Sequence, residues 1–223
     1  GVAKQNIAKA TAMMQTAEGA FDEVNNILYR MKDLATQAAD DTNSDDDRAA
    51  ITSEFGELNS ELENIMSNTS YGTEKLLSSV SGNVSGKLTQ ELQFQIGAST
   101  DETLKVNFGA DMTKVTDSLK TLLDSDLSSA TGGNTAIDEL NTAIKEVGSM
   151  RSSLGANINR LGHTGANLAN MQDNTNVNLG IIRDADFATE ATNMTRNQML
   201  TQSSQAMLKQ ANGMSQMVLG MLG

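Results

Sequence analysis

The sequence predicts a mainly α protein: an elongated antiparallel helical rod with a small β-hairpin region and a C-terminal helix of distinct composition. Three observations carry that prediction. Apolar residues recur at three-four spacing over long stretches at both ends of the chain. None of its 223 residues is a proline that would interrupt them. One short stretch in the middle switches to strict alternation of apolar and polar residues.

The first helix is read from a seam of Ala3, Ile7, Ala10, Met14, Ala17, Phe21, Val24, Leu28, Met31, Ala35 and Ala38. At about 1.5 Å per residue this heptad stretch is a rod roughly 50 Å long. It starts abruptly, with no Ser, Thr or Asp ahead of its first heptad position and a Gly as residue 1, so upstream sequence is expected to have been removed. The stretch DDTNSDDD then reads as a turn feeding a second helix. In it Ser44 stands three residues before Asp47 as in a capping box, with acids at the positive end of the helix dipole. Ile51, Phe55, Leu58, Leu62 and Ile65 repeat the seam, predicting two antiparallel helices.

After Asn68 the composition turns to Gly, Ser and Thr. Leu92, Phe94 and Ile96, then Leu104, Val106 and Phe108, alternate on either side of GASTDE, the pattern of a hairpin. Residues 110–134 are polar and rich in Gly and Ser, and read as a loop or small surface domain with a short helical turn at Leu119 to Leu123. From Ile137 the heptads return through Leu140, Ile144, Val147, Leu154, Ile158, Leu161 and Leu168, with Arg151 in one core-type position. This third long helix should pack beside the first two.

The last segment, Phe187 to Gly223, carries only Glu190, Arg196 and Lys209 as charges. Leu200, Met207, Ala211, Met214, Val218 and Met221 form another seam, widened by Leu208, Met217, Leu219 and Leu222. A helix apolar over so much of its circumference must be buried against something. The upstream heptads have partners in one another, so its own partner is missing from the chain, supplied by other copies, or both.

Composition narrows the function. The net charge of −12 repels a phosphate backbone and argues against nucleic acid as a partner. No stretch approaches the ~18 apolar residues of a membrane span, and the opening GVAKQNIAKA lacks the apolar middle of a secretory signal. The chain has no Cys, which removes disulfides, thiolate nucleophiles and sulfur metal sites together. Its one histidine, His163 in RLGHTGAN, has no second His and no HExxH, so a surface or packing role is expected in place of a metal or triad role. The run Asp45, Asp46, Asp47 lacks the Gly and terminal Glu of a calcium loop. GASTDE and ATGGN contain neither GxxxxGK nor GxGxxG. No enzyme, metal or cofactor is expected.

Several long motifs together resemble bacterial flagellin. QTAEGAFDEVNNILYRMKDLATQAA at residues 15 to 39 is similar to that family's first D1 helix, FQIGA at 94 to 98 to its D1 hairpin, and LGANINRL at 154 to 161 to its returning D1 helix. IRDADFATEATNMTRNQMLTQSSQAMLKQAN at 182 to 212 is similar to the terminal D0 segment. TSYGTEKLL after Asn68 departs from the family pattern, with Tyr71 in the aromatic place and Thr73 where a glycine is usual. The resemblance implies D1 helices over 1–68, a D1 β-hairpin part over 69–110, a short variable connector over 111–134, the returning D1 helix over 135–180 and a D0 helix over 181–223. It also implies that the N-terminal D0 partner of the last helix is absent.

The function implied is that of a secreted structural subunit of the extracellular flagellar filament. The expected partners are other flagellin subunits, a flagellar export chaperone, the filament cap and Toll-like receptor 5, with export through the flagellar type III channel. Leu200, Met207, Leu208, Met214, Val218 and Leu222 are expected to serve polymerisation and chaperone binding in turn. Ile27, Arg30 and Leu34 lie at i, i+3 and i+7, off the core seam, and are expected to form an exposed stripe. The resemblance maps receptor contacts onto Arg30, Leu34, Glu54 and Gln37, and also onto Leu140, Ile144 and Arg160, of which Leu140 and Ile144 fall on the seam. The competing classes are a hook-filament junction protein or type III translocator, and an enzyme carried on a filament. The last would need a catalytic insert, for which residues 110–134 are too short.

Overall fold

The computed structural model describes residues 2–82, 85–97 and 99–221, apart from the side chains of residues 185, 216 and 218–220. In chain order the elements are α1 (Val2–Ala38), α2 (Asp45–Asn68), β1 (Ser70–Tyr71), β2 (Glu74–Lys75), a 3-10 turn (Lys87–Thr89), β3 (Glu91–Gln95), β4 (Thr103–Asn107), α3 (Gly109–Leu123) and α4 (Ala130–Met221). The chain divides into two units, Gly1–Leu168 and Ala169–Gly223.

In the first unit the seam of α1 is buried from Ile7 to Ala38, with Met14, Phe21, Leu28 and Met31 fully covered. Each such side chain contributes about 1.5–3 kcal/mol relative to exposure. Both neighbours of α1 run antiparallel to it. On α2, Glu54 meets Arg30 and Arg48 reaches Ala38. On α4, Gly165 faces Ile7, Arg151 pairs with Glu18, and Gly133 faces Ala35 and Ala39. A Cβ on Gly133 would lie 2.6 Å from the Ala39 nitrogen, so the end of α1 and the start of α4 approach closely because no side chain intervenes.

Local chemistry fixes the corners. Ser44 and Asp47 close a capping box at the start of α2, and the hydrogen bond from the Ser44 side chain, then that from its backbone N–H, holds the Asp47 carboxyl below its ordinary value. The end of α1 is capped from outside its own helix. The Arg48 guanidinium, itself buried, donates to the Ala38 carbonyl and at 2.9 Å to that of Asp40, while Asn43 donates to the Gln37 carbonyl at 2.6 Å. These groups satisfy acceptors that a helix terminus leaves open.

The TSYGTEKLL segment folds as the small β1–β2 hairpin, with Ser70 opposite Lys75 and Tyr71 opposite Glu74. Gly72 has φ +64 at the first turn position, which a side chain would resist. Following it, the segment around residues 79–81 is tied to α2 by Glu63. Burial raises the Glu63 pKa, but hydrogen bonds from Ser79, Ser81, the Val80 N–H and Ser67 outweigh it and hold the group below its ordinary value. The larger hairpin forms where it is expected, and the structure supplies its register: Leu92 stands opposite Val106 and Phe94 opposite Leu104.

Residues 110–134 depart from expectation. Instead of a loop, Gly109–Leu123 is a full helix, α3, burying Met112, Val115, Leu119 and Leu122. Its threonines disguise it in the sequence: Thr113, Thr116 and Thr121 turn their hydroxyls back to carbonyls one turn earlier, which satisfies them within the helix. The C-terminal end of α3 is held by Asn59 of α2, whose amide donates to the Leu122 carbonyl at 3.2 Å.

Candidate assembly and recognition surfaces

The second unit is helix alone among its described residues. Its large apolar side chains are exposed: Leu200, Met207, Leu208 and Met214 show 59%, 69%, 62% and 60% of their surfaces. Leu200, Met207 and Met214 follow one another at seven-residue intervals, so at about 100° per residue they share one face, with Leu208 on its flank. Thr192, Thr195 and Thr201 bond to their own helix at 2.8 Å. Of the other two residues assigned to this seam, Leu222 lies outside the described residues, and Val218 lies in the helix but its side chain is outside them.

On α1 and α2 the structure corrects the expected stripe. Leu34 is only 2% exposed and belongs to the core. The reason is that α1 is covered from two sides, by α2 and α4, so its buried arc is wider than a single heptad seam. Ile27 is half-buried and packs on that core. Arg30 lies about 40° further round than Leu34 and stays in solvent, where its Nη2 and Nε reach the same Glu54 oxygen at 2.5 and 3.1 Å. Gln37 is exposed one turn beyond Leu34, and Arg160 is exposed on α4. Leu140 is fully buried, as its seam position requires, whereas Ile144 is only half-buried because Ala143, one residue earlier, takes the seam position between Leu140 and Val147. Arg151 does not take the core-type position expected of it: the seam runs Val147, Met150, Leu154, all fully buried, and Arg151, turned about 100° from Met150 and a third exposed, reaches Glu18 and Asp22, each at 2.9 Å.

His163 is exposed, and among the described residues no group of three His, Cys, Asp or Glu side chains is placed to hold a metal ion. No helix among them is long and apolar enough to cross a membrane.

Residues 1–82 match the bacterial flagellin N-terminal helical region, and residues 137–222 match the bacterial flagellin C-terminal helical region. The chain belongs to the bacterial flagellin family. It is 40% identical to a flagellin of Halalkalibacterium halodurans over 222 residues, spanning 99% of this chain and 77% of that protein. It is also 34% identical to the flagellar filament 30.7 kDa core protein of Treponema maltophilum, over 99% of this chain and 78% of that one. Among solved structures it is similar to Bacillus cereus flagellin, with a TM-score of 0.60 and 25% identity, over 74% of this chain and 88% of that chain. This flagellin is therefore a structural subunit of the extracellular flagellar filament, a homopolymer. Identity at that level over nearly the whole length selects flagellin over a junction protein or translocator built on similar helices.

Two structurally important residues of this flagellin escape a sequence reading. Arg48 did leave a signal, since Arg48, Phe55 and Leu62 stand at heptad spacing and all three are buried. Glu63 left none: its donors come from loop residues 16 to 18 positions away as well as from Ser67.

Proposed function

We propose that subunits polymerise through the face of the C-terminal helix that carries Leu200, Met207, Leu208 and Met214, continued in sequence by Val218 and Leu222. The observation that carries this reading is the exposure of Met207, at 69%, and of its seam neighbours, on a segment with only three charges from Phe187 onward. Each large apolar side chain gains roughly 1.5–3 kcal/mol on full burial, which offsets much of the cost of fixing the helix against a neighbour. Head-to-tail contacts that do not close then give a helical polymer. Before assembly the same face is covered by a flagellar export chaperone, the subunit passes unfolded through the type III channel, and it adds beneath the filament cap. Family resemblance supports these steps.

Replacing Met207, Met214 and Val218 together by Asp is expected to abolish both filament growth and chaperone binding while leaving the unfolding of the first unit within about 0.5 kcal/mol of the parent. Normal filaments from that variant would overturn the reading.

A second surface, Arg30 and Glu54 with Gln37 beside them, is the proposed contact for Toll-like receptor 5. Arg30 supports it as an exposed cation in a defined geometry, the kind of residue that anchors interfaces. Ile27 lies one turn from Arg30, Arg160 stands on α4 nearer the start of α1, between the contacts of Arg151 with Glu18 and of Gly165 with Ile7, and the buried Leu34 acts by holding α1 in place. Arg30→Ala is expected to weaken binding to the receptor ectodomain about tenfold without unfolding the helix; unchanged affinity would remove the assignment.

A further inference from the structure

Sulfur chemistry in this chain rests entirely on methionine, because there are thirteen Met and no Cys. The structure sorts those methionines into two sets. Met13, Met14, Met31, Met66, Met112 and Met150 are buried in the first unit, none more than 6% exposed. Met171, Met194, Met199, Met207, Met214, Met217 and Met221 are between 54% and 89% exposed in the second. No methionine is intermediate. At about 100° per residue, Met199, Met207, Met214, Met217 and Met221 fall within an arc of roughly 80°, and this arc shares Met207 and Met214 with the face assigned above to polymerisation.

We infer that these five methionines are a reversible oxidation site that controls whether a free subunit can join a filament. A two-electron oxidant such as hydrogen peroxide transfers one oxygen to the thioether sulfur, giving methionine sulfoxide and water. A methionine sulfoxide reductase drawing on two thiols returns the thioether, with release of water and formation of a disulfide. The sulfoxide is polar, chiral and a strong acceptor. On this arc it must be desolvated without a matching donor when a neighbouring helix closes over it. Exposed thioethers react first, and with no cysteine in the chain no thiol competes for the oxidant. The buried six are shielded by the core, so oxidation strikes the assembling surface and leaves the fold of the first unit intact. Once assembled, the same five sulfurs are covered and the filament resists what the free subunit does not.

The inference rests on the tail being the polymerisation seam, and the test separates the two. Full-length subunits are exposed to hydrogen peroxide, sulfoxide is quantified at each methionine by peptide mass spectrometry, and elongation of sheared filament seeds is followed with and without later treatment by sulfoxide reductases. The five tail methionines are expected to oxidise in free subunits well ahead of the six core ones and to be protected in filaments. Elongation is expected to fall about tenfold or more on oxidation and to return on reduction. A variant with all five replaced by Leu is expected to elongate in the presence of peroxide. Failure of untreated subunits to elongate would sink the seam assignment itself. Normal elongation by subunits oxidised at all five positions, equal oxidation of the five in filaments and free subunits, or no recovery on reduction would each overturn this inference alone. If the Leu variant does not elongate even without peroxide, the recovery experiment on the parent chain decides.

Discussion

Methionine at a seam position has opposite fates in the two units: Met14, Met31 and Met150 are fully covered, whereas Met207 and Met214 keep more than half of their surface in solvent. Both sets follow heptad spacing on uninterrupted helix. The difference lies in what each face meets. In the first unit α1 is covered by α2 and α4, while the described part of the second is a single helix. A heptad pattern therefore declares that a face must be buried, and is silent on whether the covering surface belongs to the same molecule.

Five substitutions sharpen that contrast. Phe21→Ala, in the covered seam, is expected to lower the free energy of unfolding by about 3–5 kcal/mol, while Met207→Ala should move it by less than about 0.5 kcal/mol in the free subunit; denaturant titration of the two side by side checks this. Comparable losses would mean that the tail is packed in the free chain. Next comes Arg48→Ala, which takes the guanidinium donor from the Ala38 carbonyl at the end of α1 and leaves the Asp40 carbonyl only its bonds from Asn43. A loss of about 2 kcal/mol is expected, with early fraying of the α1–α2 corner visible by amide exchange.

Glu63→Gln has a smaller effect, about 1 kcal/mol near neutral pH, and it changes the acid limb of the stability curve. Because the folded-state pKa of Glu63 is lowered, the unfolded chain takes up the proton more readily. The contribution of this carboxylate is then complete above about pH 4.3, its ordinary value, and is lost as pH falls through the lower folded value. Thermal unfolding of parent and variant between neutral and acid pH should converge at the acid end, and parallel curves would refute the role given to Glu63. The smallest effect belongs to Glu54→Ala. Its pair with Arg30 is about half exposed, so stability should change by less than about 1 kcal/mol and by less still in high salt.

Much of this architecture was legible because one physical rule dominates it. The seam of α1, the capping box at Ser44 and the two alternating strands of the larger hairpin are all local or periodic, and each formed where the sequence placed it. What was missed depends on contacts across the fold. Leu34 was read as exposed because one seam implies one covering helix, and α1 has two. The stretch that forms α3 reads as a loop or small surface domain with one helical turn, because its Thr and Ser content suggests irregular chain until the hydroxyls are paired one turn back. Glu63 carries no periodic signature, since its partners are loop donors that only the tertiary fold assembles. Of the two candidate surfaces, the tail was visible as an excess of apolar residues. The Arg30–Glu54 pair needed α1 and α2 to be antiparallel and in register.

The central claim is that the apolar face of residues 169–221 is open in the free subunit and covered by other copies in the filament. Amide hydrogen exchange measured on both states, in one buffer, tests it directly. Fast exchange throughout that segment in the free subunit, turning to strong protection in the filament while residues 7–161 stay protected in both, is the predicted result. Protection of residues 200–214 in the free subunit equal to that of the α1 seam would contradict it.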